Sequence, residues 1–190
     1  LGGNGIYQMD PQTGRVVNSI AQGPWTEYPQ NGLAYNPNDD TFYIAGFWDN
    51  IIYHIKGLSW DSPGEVLDQW MMWIMPCGLA YHPIADVLII ETNSFPDEIY
   101  YVDPASHEVI CKFNHPANWE SNGAGIELDA DGNLWVASQH ENRMYLVNTG
   151  LGPVSGVTWA PKDGSVEPGA SAAITVTAEA GHMTPGQHRS

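Results

Sequence analysis

The segment NGLAYNPNDDTFYIAGFWDNIIYHIKG, residues 31–57, recurs twice more along the chain in related form. The second copy is CGLAYHPIADVLIIETNSFPDEIYYVDP from Cys77, and the third is AGIELDADGNLWVASQHENRMYLVNTG from Ala124. The matching glycines of the three copies, Gly32, Gly78 and Gly125, are 46 and 47 residues apart. A period of about 40–50 residues is typical of propeller blades or of helical repeats.

The local pattern within each copy favours strands over helices. The runs TFYIAGF, VLIIET, NLWVAS and IYYVD are rich in β-branched and aromatic residues and are bounded by Asn, Asp, Pro and Gly, which is typical of strands. The stretches NPNDD, DADG and DPQTG supply turn residues. Each copy therefore predicts four strands: a (GLAY), b (TFYIAGF), c (IIYHIK) and d, the run before the next glycine. The opening GIYQMDPQTGRVVNSI matches strands c and d.

The predicted fold class is all-β, with four-stranded antiparallel propeller blades. Residues 1–150 are expected to hold a partial blade, two full blades and a second partial blade, which form an incomplete ring. The segments GLAYNP, DDTFYIA, IYYVDPASHEVI and IYQMDPQTGRVV resemble the YVTN/NHL class of β-propellers. This resemblance implies the fold and leaves the function open, since propellers host many functions.

The tail, residues 151–190, has a different pattern. DGSVEPGASAAITVTAEA and MTPGQ resemble the immunoglobulin-like domains of secreted bacterial proteins, and the segment is too short for a sandwich of about seven strands. Propeller repeats followed by such a domain resemble the C-terminal regions of secreted subtilisin-like peptidases and surface proteins. That resemblance implies an extracellular or cell-surface location and a non-catalytic role. The chain carries no peptidase motif such as Gly-x-Ser-x-Gly.

The charge balance restricts the partners. Lys and Arg total 6 against 22 Asp and Glu, a formal charge of −16. Such a surface repels nucleic acid and anionic membranes, and it favours neutral or cationic partners. The same acidity would also keep a secreted protein soluble. The sequence has no apolar run of about 18 residues that predicts a membrane span. It also shows no signal peptide. The first residues, LGGNGIYQMD, resemble the middle of a folded unit, so we expect the chain to be part of a longer protein and the missing signal to be uninformative.

Partial blades at both ends would expose strand edges, which are surfaces for pairing. Two copies with three blades each would complete a six-bladed ring, so the sequence predicts a homodimer closed by intermolecular strands. In that assembly both ends supply a strand c, and one of them would have to be displaced. An open fragment of a longer closed chain is the alternative.

Propeller geometry places the d–a and b–c loops on one face, which is usually the ligand face. Aromatic, amide and carboxylate groups in these loops suit a small molecule, a sugar or a peptide. The residues predicted there are Glu27, Asn31, Trp48, Asp49, Trp73, Cys77, Asn93, Asp97, Trp119, Glu120, Asn122, His140 and Glu141. The main prediction is a non-catalytic binding or scaffold module that needs no cofactor.

A soft-metal site is suggested by DQWMMWIMPCGLAYHP, residues 68–83, where a histidine follows a cysteine closely. The predicted topology excludes it, because Cys77 belongs to a d–a loop and His82 to the opposite a–b turn, roughly 16 Å away. The Met and Trp residues of this stretch then line the mouth or a dimer contact. Cys111, in strand d, is expected to pack as an apolar residue.

The alternative function is a calcium-dependent hydrolase of lactones or organophosphate-like esters, with its site in the central channel. PQNGLAY resembles the Asn-Gly pattern of lactonase-class propellers, which implies calcium ligands at Asn31 and, after a loop shift, Asn122. Cys77 and Ala124 stand at the equivalent positions of the other repeats and are unsuitable ligands. The motif DADGNLW at 129–135 lacks the later bidentate Glu of a calcium loop and predicts a hairpin turn. Nothing local activates Ser94 for a triad with His115 and Asp97.

Overall fold

A computed structural model describes residues 5–27, 29–117, 123–154, 157–160, 165, 169 and 171–178. These residues form antiparallel sheets, which confirms the all-β prediction. Three sheets are blades of a propeller, and the described sheets do not close into a ring.

Blade I contains β3 (Gln30–Asn36), β4 (Thr41–Gly46), β5 (Ile51–Lys56) and β6 (Val66–Met71). Blade II contains β7 (Pro76–His82), β8 (Val87–Thr92), β9 (Glu98–Val102) and β10 (Val109–Asn114). Blade III contains β11 (Gly123–Leu128), β12 (Asn133–Ser138) and β13 (Arg143–Asn148).

Two smaller sheets flank the blades. At the amino-terminal end, β1 (Ile6–Met9) pairs with β2 (Val16–Ile20), followed by a 3₁₀ turn at Pro24–Thr26. In the tail, β14 (Val157–Ala160) pairs with β15 (Thr175–Ala178). This tail hairpin leaves the immunoglobulin-like assignment a prediction. In the part of the chain that the structure describes, no helix has the length and hydropathy needed to span a membrane.

The repeat is visible in the turns as well as in the strands. In the β1–β2 turn the carboxylate of Asp10 accepts the main-chain N–H of Gln12 (2.8 Å). In the β9–β10 turn the carboxylate of Asp103 accepts the N–H of Ala105 in the same way (2.8 Å). The β3–β4, β7–β8 and β11–β12 hairpins each place one residue at positive φ. These residues are Asp40, Asp86 and Gly132. Such turn chemistry ends each strand at the same point of its blade.

The core lies between neighbouring blades. The inner strands β3, β7 and β11 run side by side, and buried aliphatic and aromatic side chains fill the spaces between the blades. Gly78 permits this approach, because a Cβ there would lie 2.9 Å from the main-chain nitrogen of Ile126 and 3.0 Å from the Cα of Gly125. The inner ends of two blades therefore meet backbone to backbone.

The β1–β2 hairpin packs on blade I through Ile20 and Trp25. Trp25 is fully buried, and its indole N–H donates to the carbonyl oxygen of Gly64 (3.0 Å). Although Trp25 belongs to a d–a connection, its ring is part of the core and lies away from the ligand face. Beside the hairpin, Leu33 and Tyr35 stay about half exposed and line an apolar groove of about 320 Å³.

Candidate functional site

The d–a and b–c loops form a continuous surface at one end of the blades. The N–H of Phe47 donates to the carbonyl of Pro29 (3.2 Å), and the N–H of Asn93 donates to that of Met75 (2.8 Å). In the same way, the main-chain N–H of Met72 donates to the carbonyl of Asn50 (2.8 Å), and the main-chain N–H of His115 donates to the carbonyl of Asp97 (3.0 Å). We call residues 27, 29, 47–50, 72–75, 93–97 and 115–117 the loop face. Its main-chain hydrogen bonds fix the loops relative to one another.

Three large aromatic side chains project from the loop face into solvent. Trp48 in the β4–β5 loop is 66% exposed, Trp73 in the β6–β7 loop is 90% exposed and Phe95 in the β8–β9 loop is 71% exposed. Each belongs to a different loop, and the hydrogen bonds above join these loops in sequence. Exposed aromatic groups that are clustered on adjacent loops are unusual on a free surface and are typical of binding surfaces.

Two predicted ligand-face carboxylates are engaged within their own blades. The hydroxyl of Tyr53 donates to Asp49 (2.7 Å), and that of Tyr145 donates to Glu141. Both contacts link a b–c loop to strand c, so the two carboxylates anchor their loops. The a–b hairpin predicted at 129–135 is also present, with the carboxylate of Asp129 accepting main-chain N–H groups within the turn.

Cys77 does not lie in an open loop as predicted. It is the second residue of β7 and is 2% exposed, because the strand begins earlier than the sequence pattern suggests. Burial, together with the charges of Glu91 and Asp97, raises the pKa of its thiol, so Cys77 is not a reactive thiolate. His82 ends the same strand, and its Nε2 lies 2.9 Å from the carbonyl of Gly152. The two residues therefore occupy opposite ends of β7.

A buried contact between a carboxyl and an imidazole reaches the loop face, to which His115 belongs. The Nε2 of His115 is 3.0 Å from the Oε1 of Glu91, and the side chains are 1% and 0% exposed. The other carboxylate oxygen, Oε2, accepts the N–H of Gly125 from blade III (3.0 Å). The Nδ1 of His115 accepts the N–H of Ala117 (3.0 Å), so a neutral ring carries its hydrogen on Nε2, facing Glu91. Both ring nitrogens have these partners, which leaves neither for a triad with Ser94.

The pair has altered proton affinities. Burial raises the pKa of Glu91 above its ordinary value, and His115 counteracts this only in part. Burial lowers the pKa of His115, but the adjacent carboxyl of Glu91 and the charge of Asp97 outweigh burial, so that this pKa is raised. A carboxyl and an imidazole with raised pKa values, in contact and shielded from water, can exchange a proton.

The sequence interpretation did not single out Glu91. Strand b carries Ala45 in blade I and Ala137 in blade III at the position that Glu91 holds in blade II, since these residues pair with Gly32, Gly125 and Gly78 respectively. An acidic residue at a position where the other repeats have alanine was the available signal. It requires the three copies to be compared column by column.

The remaining predicted residues occupy varied positions. Glu27 and Asn31 are exposed, Asn93 is half-buried, Asp97 is buried and His140 is exposed. Trp119, Glu120 and Asn122 lie outside the described residues. Within the described ranges, no group of three or more His, Cys, Asp or Glu side chains could hold a metal ion. The calcium assignment to Asn31 and Asn122 therefore stays a prediction.

The fold and this site define a propeller-type all-β protein whose blades do not close in the described chain. Comparison of the sequence with protein-family models and with curated proteins finds no match. Among solved structures, the chain is similar to Myxococcus xanthus glutaminyl cyclase, at 11% identity and a TM-score of 0.59 over 77% of this chain and 58% of that one. It is also similar to a Bacteroides caccae protein of unknown function, at 15% identity and a TM-score of 0.51 over 76% of this chain and 52% of that one. The chain thus spans little more than half of these structures, and the likeness concerns the fold.

Proposed function

We propose that the chain is a binding module of a secreted or cell-surface protein and that its ligand docks on the loop face. The observation that carries this proposal is the exposure of Trp48, Trp73 and Phe95 from three loops that are hydrogen-bonded in sequence. Aromatic side chains bring a large contact area at a small entropic cost, and they dominate the energetics of many interfaces. The rigid loops hold them in place before any ligand arrives.

The proposal is tested by measuring the binding of the protein to arrays of oligosaccharides and of peptides that include neutral, acidic and basic members. Wild-type protein should bind a defined subset, and the triple variant Trp48→Ala, Trp73→Ala, Phe95→Ala should lose that subset. Trp60→Ala is the matched control, because Trp60 is 37% exposed in the β5–β6 connection at the other end of blade I. Binding that the triple variant retains in full, or a wild-type protein that binds nothing on either array, would contradict the proposal.

The second candidate is a hydrolase, and the observation that favours an enzyme is the buried contact between Glu91 and His115. A carboxyl and an imidazole with raised pKa values can serve as general acid and base in the hydrolysis of an ester or a lactone. Propellers host enzymes as well as binding modules, and one of the similar structures is a glutaminyl cyclase. This candidate ranks second because the pair is covered, whereas the aromatic rings are open to solvent.

A panel of simple esters and lactones tests the hydrolase. Glu91→Gln should lower any activity by about 10²–10⁴-fold, the usual contribution of general acid–base catalysis. Chelation with EDTA separates the two forms of this candidate. Activity that survives EDTA rules out the calcium-dependent version with ligands at Asn31 and Asn122, and activity that survives Glu91→Gln rules out the acid–base version.

The homodimer with a closed ring remains a further proposal. The end of the molecule at blade I exposes Leu33 and Tyr35, and the face of blade III exposes Trp135, Met144 and Leu146. Apolar side chains at both ends suit the burial of each end against another copy. Light scattering at micromolar concentration should give the mass of two chains, and the mass of one chain would exclude the dimer.

A further inference from the structure

We propose that the ligand of the loop face is a basic peptide segment whose Lys and Arg side chains stack on Trp48, Trp73 and Phe95. This inference rests on the proposed binding function and adds the chemical class of the ligand. It depends on three features of the described residues: the exposed rings, the charges that surround them, and the way in which this chain already uses its own lysines.

Apart from His115, whose buried ring faces Glu91, the ionisable groups of the described loop face are carboxyl groups. Its described residues include the carboxylates of Glu27, Asp49 and Asp97 and contain no Lys or Arg. The whole chain carries a formal charge of −16, so the surrounding field has the same sign. Two forces attract a cation to such a surface. One is the negative field of the protein, and the other is the interaction with the negative face of each aromatic ring. A neutral ligand would gain contact with the rings but no attraction from the field.

Elsewhere in the chain, lysines already take up this arrangement. Lys56 lies over the ring of Trp60 (5.5 Å) while its ammonium group pairs with Glu65 (2.5 Å). Lys112 lies over the ring of Tyr100 (5.4 Å) while it pairs with Glu98 (2.8 Å). In both places an aromatic ring and a carboxylate hold one cation. The described loop face also brings a ring and a carboxylate together, in Trp48 and Asp49 of the β4–β5 loop.

The spread of the rings favours a peptide over a small cation. Trp48 belongs to blade I, Phe95 belongs to blade II, and Trp73 lies on the loop that joins the two blades. The three rings thus belong to three separate loops. An extended basic segment could place successive side chains on the rings, and interfaces of this kind combine aromatic anchors with complementary charge.

The test is fluorescence anisotropy with a labelled peptide of alternating lysine and glycine and with the same peptide acetylated on every lysine. Acetylation keeps the aliphatic stem and removes the charge. The lysine peptide should bind, and the acetylated peptide should bind at least about tenfold more weakly. The triple variant Trp48→Ala, Trp73→Ala, Phe95→Ala should weaken binding of the lysine peptide at least about tenfold, at unchanged net charge. Trp60→Ala should bind as the wild type does, and Trp73→Ala alone should give a smaller loss.

Four results would overturn the inference. Equal binding of the acetylated peptide, or equal binding of a neutral chitin oligosaccharide, would show that charge does not select the ligand, while the loop face could still be the binding surface. Unchanged binding by the triple variant would show that the acidic surface attracts the peptide without the rings. Failure of the lysine peptide to bind would also overturn it, and the array experiment would then decide separately whether the loop face binds anything.

Discussion

Blades I and II fold alike, yet they fill the same interior position with opposite chemistry. Blade I places Ala45 on strand b and Met72 after strand d, and both belong to its apolar core. The equivalent residues of blade II are Glu91 and His115, which form a buried ion pair. The equivalence is geometric, because Met72 and His115 each donate their N–H to the carbonyl of the preceding b–c loop.

Blade I shows that a blade of this architecture can be built without such a pair. Replacing a buried ion pair by apolar residues is often neutral or stabilising, whereas removal of one partner is costly. Blade I is a natural example of the apolar solution within the same chain. Stability alone therefore does not account for the Glu91–His115 pair of blade II.

The largest expected effect comes from breaking the pair on one side only. His115→Met leaves the carboxyl of Glu91 buried beside an apolar group, and Glu91→Ala leaves the imidazole without its acceptor. Each single variant should lower the free energy of unfolding by about 3–5 kcal/mol in chemical denaturation. Losses below about 1 kcal/mol for both variants would mean that the two side chains scarcely interact.

Substitution of the glycines on the inner strands should have the next largest effect on the free energy of unfolding. In Gly78→Ala the new Cβ would lie 2.8 Å from the Oε2 of Glu91 and against the backbone of blade III, which cannot easily move. At Gly32 the nearest atom is the Cγ of Leu79 (2.8 Å), and the nearest main-chain atom, the nitrogen of Leu79, is 3.1 Å away, which is farther than the main-chain nitrogen of Ile126 is from Gly78. Gly78→Ala should therefore cost near the upper end of about 1–3 kcal/mol and Gly32→Ala near the lower end, as measured by denaturation. The reverse order would show that the blade I–II contact is the tighter one.

The pH dependence of stability should also differ between the wild type and a variant that carries the apolar residues of blade I in blade II. The pKa values of Glu91 and His115 both lie above their ordinary values of 4.5 and 6.5. A raised pKa in the folded state means that stability is present at low pH and is lost as the pH rises through the raised value. The stability of wild type relative to the variant Glu91→Ala, His115→Met should thus fall as the pH rises above 4.5 and past 6.5. Each pKa unit by which folding raises the proton affinity of Glu91 or His115 contributes about 1.4 kcal/mol to this loss of stability. A flat difference across that pH range, measured by denaturant titration, would contradict the raised pKa values.

The smallest effect is expected at the exposed rings. Trp73 is 90% exposed and should contribute little to the core. Trp73→Ala should change the free energy of unfolding by no more than about 0.5 kcal/mol. A larger loss in thermal or chemical unfolding would mean that the ring packs against the structure and is not available to a ligand.

The sequence predicted the blades well because their signals are local and repeated. The glycine spacing, the Asx turns and the alternation of strands with turns act within a few residues, and the three copies reinforce one another. The b–c and d–a loops followed from the same pattern, which is why the exposed positions of Trp48 and Trp73 could be anticipated. Their degree of exposure could not, since it depends on packing between blades.

The interior of the site could not be predicted in the same way. Cys77 was assigned to a loop because strand boundaries are set by pairing with β8, which the local pattern does not specify. The contact between Glu91 and His115 joins residues of different strands across the blade, and their burial depends on blade III. Only a comparison of repeat positions, with alanine in two copies and glutamate in the third, could have pointed to Glu91.

The most direct test of the central claim, that the pair is dispensable for folding, is the stability of the double variant Glu91→Ala, His115→Met. This variant transplants the residues of blade I into blade II. Chemical denaturation at neutral pH should give a cooperative transition within about 1 kcal/mol of wild type, or above it, although each single variant is strongly destabilised. A double variant as unstable as the worse of the two single variants would contradict the claim.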